Sequence, residues 1–178
     1  MDEDIPLPFD LPAVARKKVS AAFDGGRITS DGGVMLLAQA ERLVCIADRL
    51  AQVIPAERDV SRVTHLLPDI LRARIFAIAC GYEDADDLDR LRFDPAFKLA
   101  CGRLPDTGRD LCSQPTVSRS ENAPTLRDLI RLMGVMVDLY CGSYAVPPEA
   151  VTLDIDDTVD GVGGIGEVSN PPFPQIRP

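Results

Sequence analysis

Between residues 30 and 145, apolar positions recur mostly at three- and four-residue steps, the period of helices with one face turned to a core. The first run follows "SDGG". Ser30 or Asp31 is placed to cap a helix carrying Val34, Leu37, Ala38 and Leu43 into "ERLVCIADRLAQVI", and Pro55 stops it. A second run, "SRVTHLLPDILRARIFAIACGYED", repeats Leu67, Ile70, Leu71, Ile75, Ile78 and Ala79. Pro68 sits in its first turn or divides off a shorter segment, and Gly81 suits its C-terminal cap. "YEDADDLDRLRFDPAFKLACG" reads as two short helices parted near Asp94 and Pro95, because the residue before a proline is steered out of the helical region. Residues 102 to 111 read as a loop. After it come a short helix in "SQPTVSRSENA" and a long amphipathic one in "TLRDLIRLMGVMVDLYCG" that ends near Gly142.

The pattern differs at both ends. Residues 1 to 18 read as an extended tail, and "KKVSAAFDGGRITSDGG" holds two short strand-like runs around Asp24, Gly25 and Gly26, a hairpin signal. "YAVPPEAVTLDID" is a proline-marked linker leading into alternating β-branched and polar residues, which predicts a strand within 146 to 160. Residues 161 to 178 form a Gly/Pro-rich tail. The expected fold is mainly α: an N-terminal β-hairpin and helical region over 19 to 145, then one strand that begins a different kind of structure.

Composition narrows the partners. The 178 residues are 46% hydrophobic and 26% charged, a globular balance, and the formal net charge is -9. So acidic a chain does not bind nucleic acid by overall attraction, and any DNA contact has to be local. Arg16, Lys17 and Lys18, with Arg27 further on, are the dense basic stretch. They are either a solvated hairpin edge or a phosphate-contacting arm. "SQPTVSRSEN" compares with the second helix of a helix-turn-helix: Ser113 caps, Pro115 fits the first turn, and Gln114, Thr116, Ser118 and Arg119 face outward toward bases and phosphates. The competing reading is a capped surface helix in a bundle.

Five cysteines without a C-x-x-C pair, beside the single histidine His65, point to reduced buried thiols and away from structural zinc. An acidic, proline-interrupted start lacks the features of a secretory signal, and charged residues interrupt every long apolar run, so a cytoplasmic protein with no membrane partner is expected. The glycines match neither phosphate-loop spacing. Glu83, Asp84, Asp86, Asp87 and Asp89 read as a solvated helix start favoured by the helix dipole.

The strongest local chemistry is "LDIDDTVD", where Asp154, Asp156, Asp157 and Asp160 close the strand. Carboxylates at a strand end are hard ligands suited to Mg²⁺, unless they simply form an acidic surface turn. "LDIDDTV" resembles the opening motif of haloacid-dehalogenase-type phosphatases. That resemblance implies Asp154 as nucleophile, Asp156 as general acid/base and Thr158 as a phosphate contact, but places the motif at the start of a domain, whereas here it comes late.

A longer resemblance is carried by "FDGGRITSDGGVMLLAQAERL", "RVTHLLPDILRARIFAIACGYEDADDLDRLRFDPAFKLACGR", "SQPTVSRSENA" and "VTLDIDDTVD", in that order. Together they resemble the DDE-type transposases of bacterial insertion sequences, specifically the family numbered thirteen-eighty. The resemblance implies a helical region for recognition of terminal inverted repeats and for assembly, followed by the first strand of an RNase-H-like domain. It also implies Mg²⁺ on a three-carboxylate site whose first member is Asp156, with Asp157 as the second choice of register. The other two acidic residues of that site lie downstream in the family and are not in this sequence, and "GVGGIGEVSNPPFPQIRP" departs from the family pattern, as a frameshift, a premature stop or a fusion would make it. The expectation is a truncated transposase, inactive alone, with DNA, a second copy or an intact transposase as partners. A non-catalytic helical DNA-binding or inhibitory module stands beside it.

Overall fold

The computed structural model describes residues 11–20, 26–55, 63–146 and 148–152. These form helices α1 (Val34–Val44), α2 (Ile46–Val53), α3 (Leu67–Ala79), α4 (Leu88–Leu91), α5 (Pro95–Ala100), α6 (Gln114–Glu121) and α7 (Leu126–Gly142), with a 3-10 turn over Ala85–Asp87 leading into α4. The mainly helical expectation holds. Residues up to Ala145 make one compact unit and those from Val146 a second. The strand expected within 146 to 160 lies mostly outside the described residues, and the described part, Val146 and 148–152, is not in strand. The hairpin expected around Asp24 to Gly26 also falls largely outside them, and residues 26–30 are not in strand.

The first helical run differs from its periodicity. Where one continuous helix is predicted from Val34 to Pro55, the backbone breaks at Cys45, which takes a left-handed conformation (φ 56°, ψ 41°). Glu41 is the physical reason. Its buried carboxylate accepts the N–H groups of Ile46 at 3.0 Å and Ala47 at 2.9 Å, satisfying the first donors of a new helix. At the start of α1, neither Ser30 nor Asp31 caps through its side chain; Gly33 occupies the cap position, and Asp31 instead accepts the Tyr82 hydroxyl at 2.9 Å.

Later boundaries follow local chemistry. Pro68 sits in the first turn of α3, and Gly81, at φ 90°, carries the chain out of it while the Tyr82 N–H returns to the Ala77 carbonyl at 2.9 Å. Asp94 caps α5 through the N–H groups of Ala96 and Phe97, at 2.8 and 3.0 Å. Thr125 and Asp128 form a reciprocal capping box that starts α7.

The core gathers Val34, Met35 and Ala38 of α1, Ile70, Ala73, Phe76 and Ala77 of α3, then Leu88, Leu91, Phe97, Leu111, Cys112 and Val117. On α3 the fully buried positions are thus Ile70, Ala73, Phe76 and Ala77, whereas Ile78, expected in the core, is half exposed. Small alanines let neighbouring helices approach and take the places that hydrophobicity alone assigns to isoleucine. Loop 101–113 is held by buried Lys98, whose Nζ donates to the Gly108 carbonyl at 2.8 Å and to Asp110 at 3.2 Å. Arg103 joins the same loop to α3 through Asp69, at 3.3 Å. Among the described residues, no helix is long and apolar enough to cross a membrane.

Candidate nucleic-acid interface

The α6 helix is fastened at both ends by residues distant in sequence. Pro115 occupies its first turn, where a missing N–H costs nothing. The cap is supplied by Asp89, whose Oδ1 accepts the Gln114 N–H at 3.0 Å. Ser113 stands at the cap position without a cap bond, correcting the sequence expectation; its hydroxyl lies 3.3 Å from that of Thr116. Val117 is buried as the apolar anchor, on the side where α6 meets α3 and the 3-10 turn. At the far end the Arg74 guanidinium donates to Glu121 at 2.6 Å, and also to the carbonyls of Tyr82 and Glu83.

Those fastenings decide which side chains remain available. Gln114 Nε2 donates to Ser118 Oγ at 3.1 Å, and Gln114, Thr116 and Ser118 are each partly buried. Arg119 is exposed and has no ion pair among the described residues. The Asp89 carboxylate already occupies the positive end of α6, so that end is not an open anion site. Residues 101–113 separate α5 from α6, far more than the short turn of a helix-turn-helix, so these two helices do not form that motif.

The basic stretch has a sharper geometry than a tail. Val14 and Lys17 exchange both backbone hydrogen bonds, at 3.0 and 2.9 Å, around Ala15 and Arg16 in left-handed conformations (φ 46° and 64°). This is the geometry of a tight two-residue turn. Buried Val14 anchors it, while Arg16, Lys17 and Lys18 are exposed and without ion pairs among the described residues. Arg27 differs, because its guanidinium lies 2.6 Å from the Asp106 carboxylate, with both side chains largely exposed.

Several other cations serve the fold. Arg72 meets Asp48 at 2.8 Å, Asp69 at 3.7 Å and Glu41 at 3.8 Å, beside a cavity of 330 Å³ in whose lining Glu41, Asp48 and Arg72 are paired with one another. Of the acidic run, Asp84 accepts the Asp86 N–H and Asp89 caps α6, and no group able to hold a metal occurs among the described residues. Asp154, Asp156 and Asp157, the residues proposed for catalysis and Mg²⁺, lie outside the described residues. The fastening roles of Asp89 and Arg74 are not visible in the sequence, since neither is near α6 along the chain.

No curated protein and no solved structure matches the chain. A family model does: that of transposase DDE domain group 1 matches residues 11–170, from the basic turn through all seven helices and into the acidic segment. The chain belongs to that family of DDE transposases.

Proposed function

We propose that these 178 residues are the DNA-end-binding part of a bacterial insertion-sequence transposase, recognising terminal inverted repeats without cutting them on their own. The observation that carries this reading is the trio Arg16, Lys17 and Lys18, exposed, without ion pairs among the described residues, and held at a tight turn on a chain of net charge -9. A localised cation cluster on an acidic protein binds phosphate where it stands and repels nucleic acid elsewhere. Arg119, on the outer side of a fastened α6, supplies a second contact, with Gln114, Thr116 and Ser118 as its neighbours toward base edges.

In this reading the acidic segment is the first corner of a Mg²⁺-binding three-carboxylate site, with Asp156 as ligand and Asp157 as the alternative. One carboxylate cluster cannot hold the pair of ions that would activate an attacking oxygen and stabilise a leaving one. The setting is cytoplasmic. The phosphatase alternative draws no support from a family match that begins at residue 11, well before "LDIDDTV".

The test is fluorescence anisotropy on terminal-repeat and scrambled duplexes across a salt series. Three phosphate contacts give a slope of about -3 in log affinity against log salt. Replacing Arg16, Lys17 and Lys18 with alanine removes most of that slope, and Arg119→Ala narrows the preference for the repeat. Absence of binding at low salt sinks the proposal. Metal-dependent nicking that disappears with Asp156→Ala sinks the non-cleaving part.

A further inference from the structure

Helix α7 carries more apolar surface than its own unit covers. Its principal neighbour is α2. The partly buried Leu132, Val135 and Leu139 form one stripe. A second stripe runs through Leu126, Ile130, Met133, Val137, Tyr140 and Tyr144, which follow one another at steps of four and three and are 42 to 74% exposed. Leu129 and Met136 widen it and are themselves about half exposed. At 100° per residue the positions within α7 fall in an arc of about 120°, with no charged side chain among them, and Tyr144 follows just past the helix end.

We propose that this stripe is a pairing surface for a second copy of the same chain, joined α7 to α7 about a two-fold axis. The four-three spacing is that of a helix-on-helix seam, and a flat or extended partner has no use for it. The exposed stripe amounts to on the order of 800 Å², the share that each partner contributes to a stable interface of ordinary size. Charge favours self-pairing at this place. Two chains of net charge -9 repel over most of their surfaces, but along α7 Arg127 and Arg131 balance Asp128 and Asp138. The stripe has the composition of an interface centre: Met and Tyr with no charge. Tyr140 and Tyr144 are already ordered, their hydroxyls 3.0 Å apart and their rings edge to face at 5.1 Å. Little side-chain freedom remains to be lost there on pairing.

Sedimentation of the full 178-residue chain over a concentration series tests this independently of DNA. The expected result is a monomer–dimer equilibrium whose dissociation constant rises by about 100-fold in Met133→Glu. Val137→Glu, further along the stripe, behaves the same way. Both sites are exposed in the single chain, so both variants keep their far-UV circular dichroism, and Val137→Glu decides if Met133→Glu does not fold. Leu43→Glu, at an equally apolar and exposed position on α1, leaves the dimer intact. A chain that stays monomeric overturns the proposal. So does an assembly larger than two copies, a dimer insensitive to both α7 substitutions, or a dimer broken equally by Leu43→Glu.

Discussion

Asp89 and Gln114 lie 25 residues apart, yet the carboxylate of one receives the backbone N–H of the other at 3.0 Å. Through this bond the acidic first turn of α4 sets where α6 begins, and it spends the dipole of α6 on the protein's own carboxylate.

Asp89→Ala is therefore expected to lower stability by about 1 kcal/mol, the ordinary worth of a helix cap. Urea unfolding of the variant gives the value. Ser113→Ala, which removes a hydroxyl that makes no cap bond, is expected to cost less than Asp89→Ala, and the reverse order would show that Ser113 carries the cap.

Glu41→Ala has a larger expected effect. It strips two capping bonds from α2 and one carboxylate from the surroundings of Arg72, in a buried position. Removing a buried charged partner of this kind costs roughly 3 kcal/mol. Chemical denaturation measures it, and a loss as small as that of a surface substitution would mean that α1 and α2 do not depend on this carboxylate.

His65 gives a pH dependence. Burial, and then the Arg103 guanidinium, hold its pKa below the ordinary 6.5. The Arg103 Nη2 lies 3.3 Å from His65 Nδ1, where a guanidinium can only donate, so the ring is neutral with its proton on Nε2. The unfolded chain therefore takes up the proton first as pH falls. His65 costs no stability above 6.5, and stability declines as pH drops through 6.5 toward the lower folded value. Thermal melts of the wild type and His65→Gln between neutral pH and about 5.5, above the carboxylate range, are expected to diverge with the wild type losing more. Parallel curves would remove His65 from the account.

The thiols are predicted to react unequally. Cys141 is exposed, whereas Cys112 is buried and burial pushes the Cys101 thiol up to about 12. Alkylation follows the thiolate fraction and access. Peptide mass spectrometry after brief iodoacetamide treatment is expected to find Cys141 labelled well ahead of Cys101 and Cys112. Prior labelling of Cys112 would contradict the packing of the core.

The sequence expectation of buried thiols thus holds for Cys112 and fails for Cys141, because α7 presents that side outward. A similar division runs through the proposed DNA contacts. Arg16, Lys17 and Lys18 were legible as a cluster, but their tight turn was not, since left-handed conformations at Ala15 and Arg16 leave no signature in residue types that ordinarily avoid them. Gln114, Thr116 and Ser118 read as outward-facing, yet each is partly covered, and Arg119 is the member of that group left exposed.

The helical character of the chain, the Pro68, Pro95 and Thr125 starts, the Gly81 exit and the family can be read from the residues alone. These rest on local sterics, capping and periodicity, which act within a few residues. Long-range packing decided that Glu41 divides the first helix, that Asp89 caps α6, and which of the arginines are spoken for. Arg74 meets Glu121 across 47 residues of sequence, and no local pattern encodes such a pair. It also decided which apolar stripe of α7 is covered. Periodicity shows that both stripes are hydrophobic, but burial depends on what packs against them, and α2 reaches one.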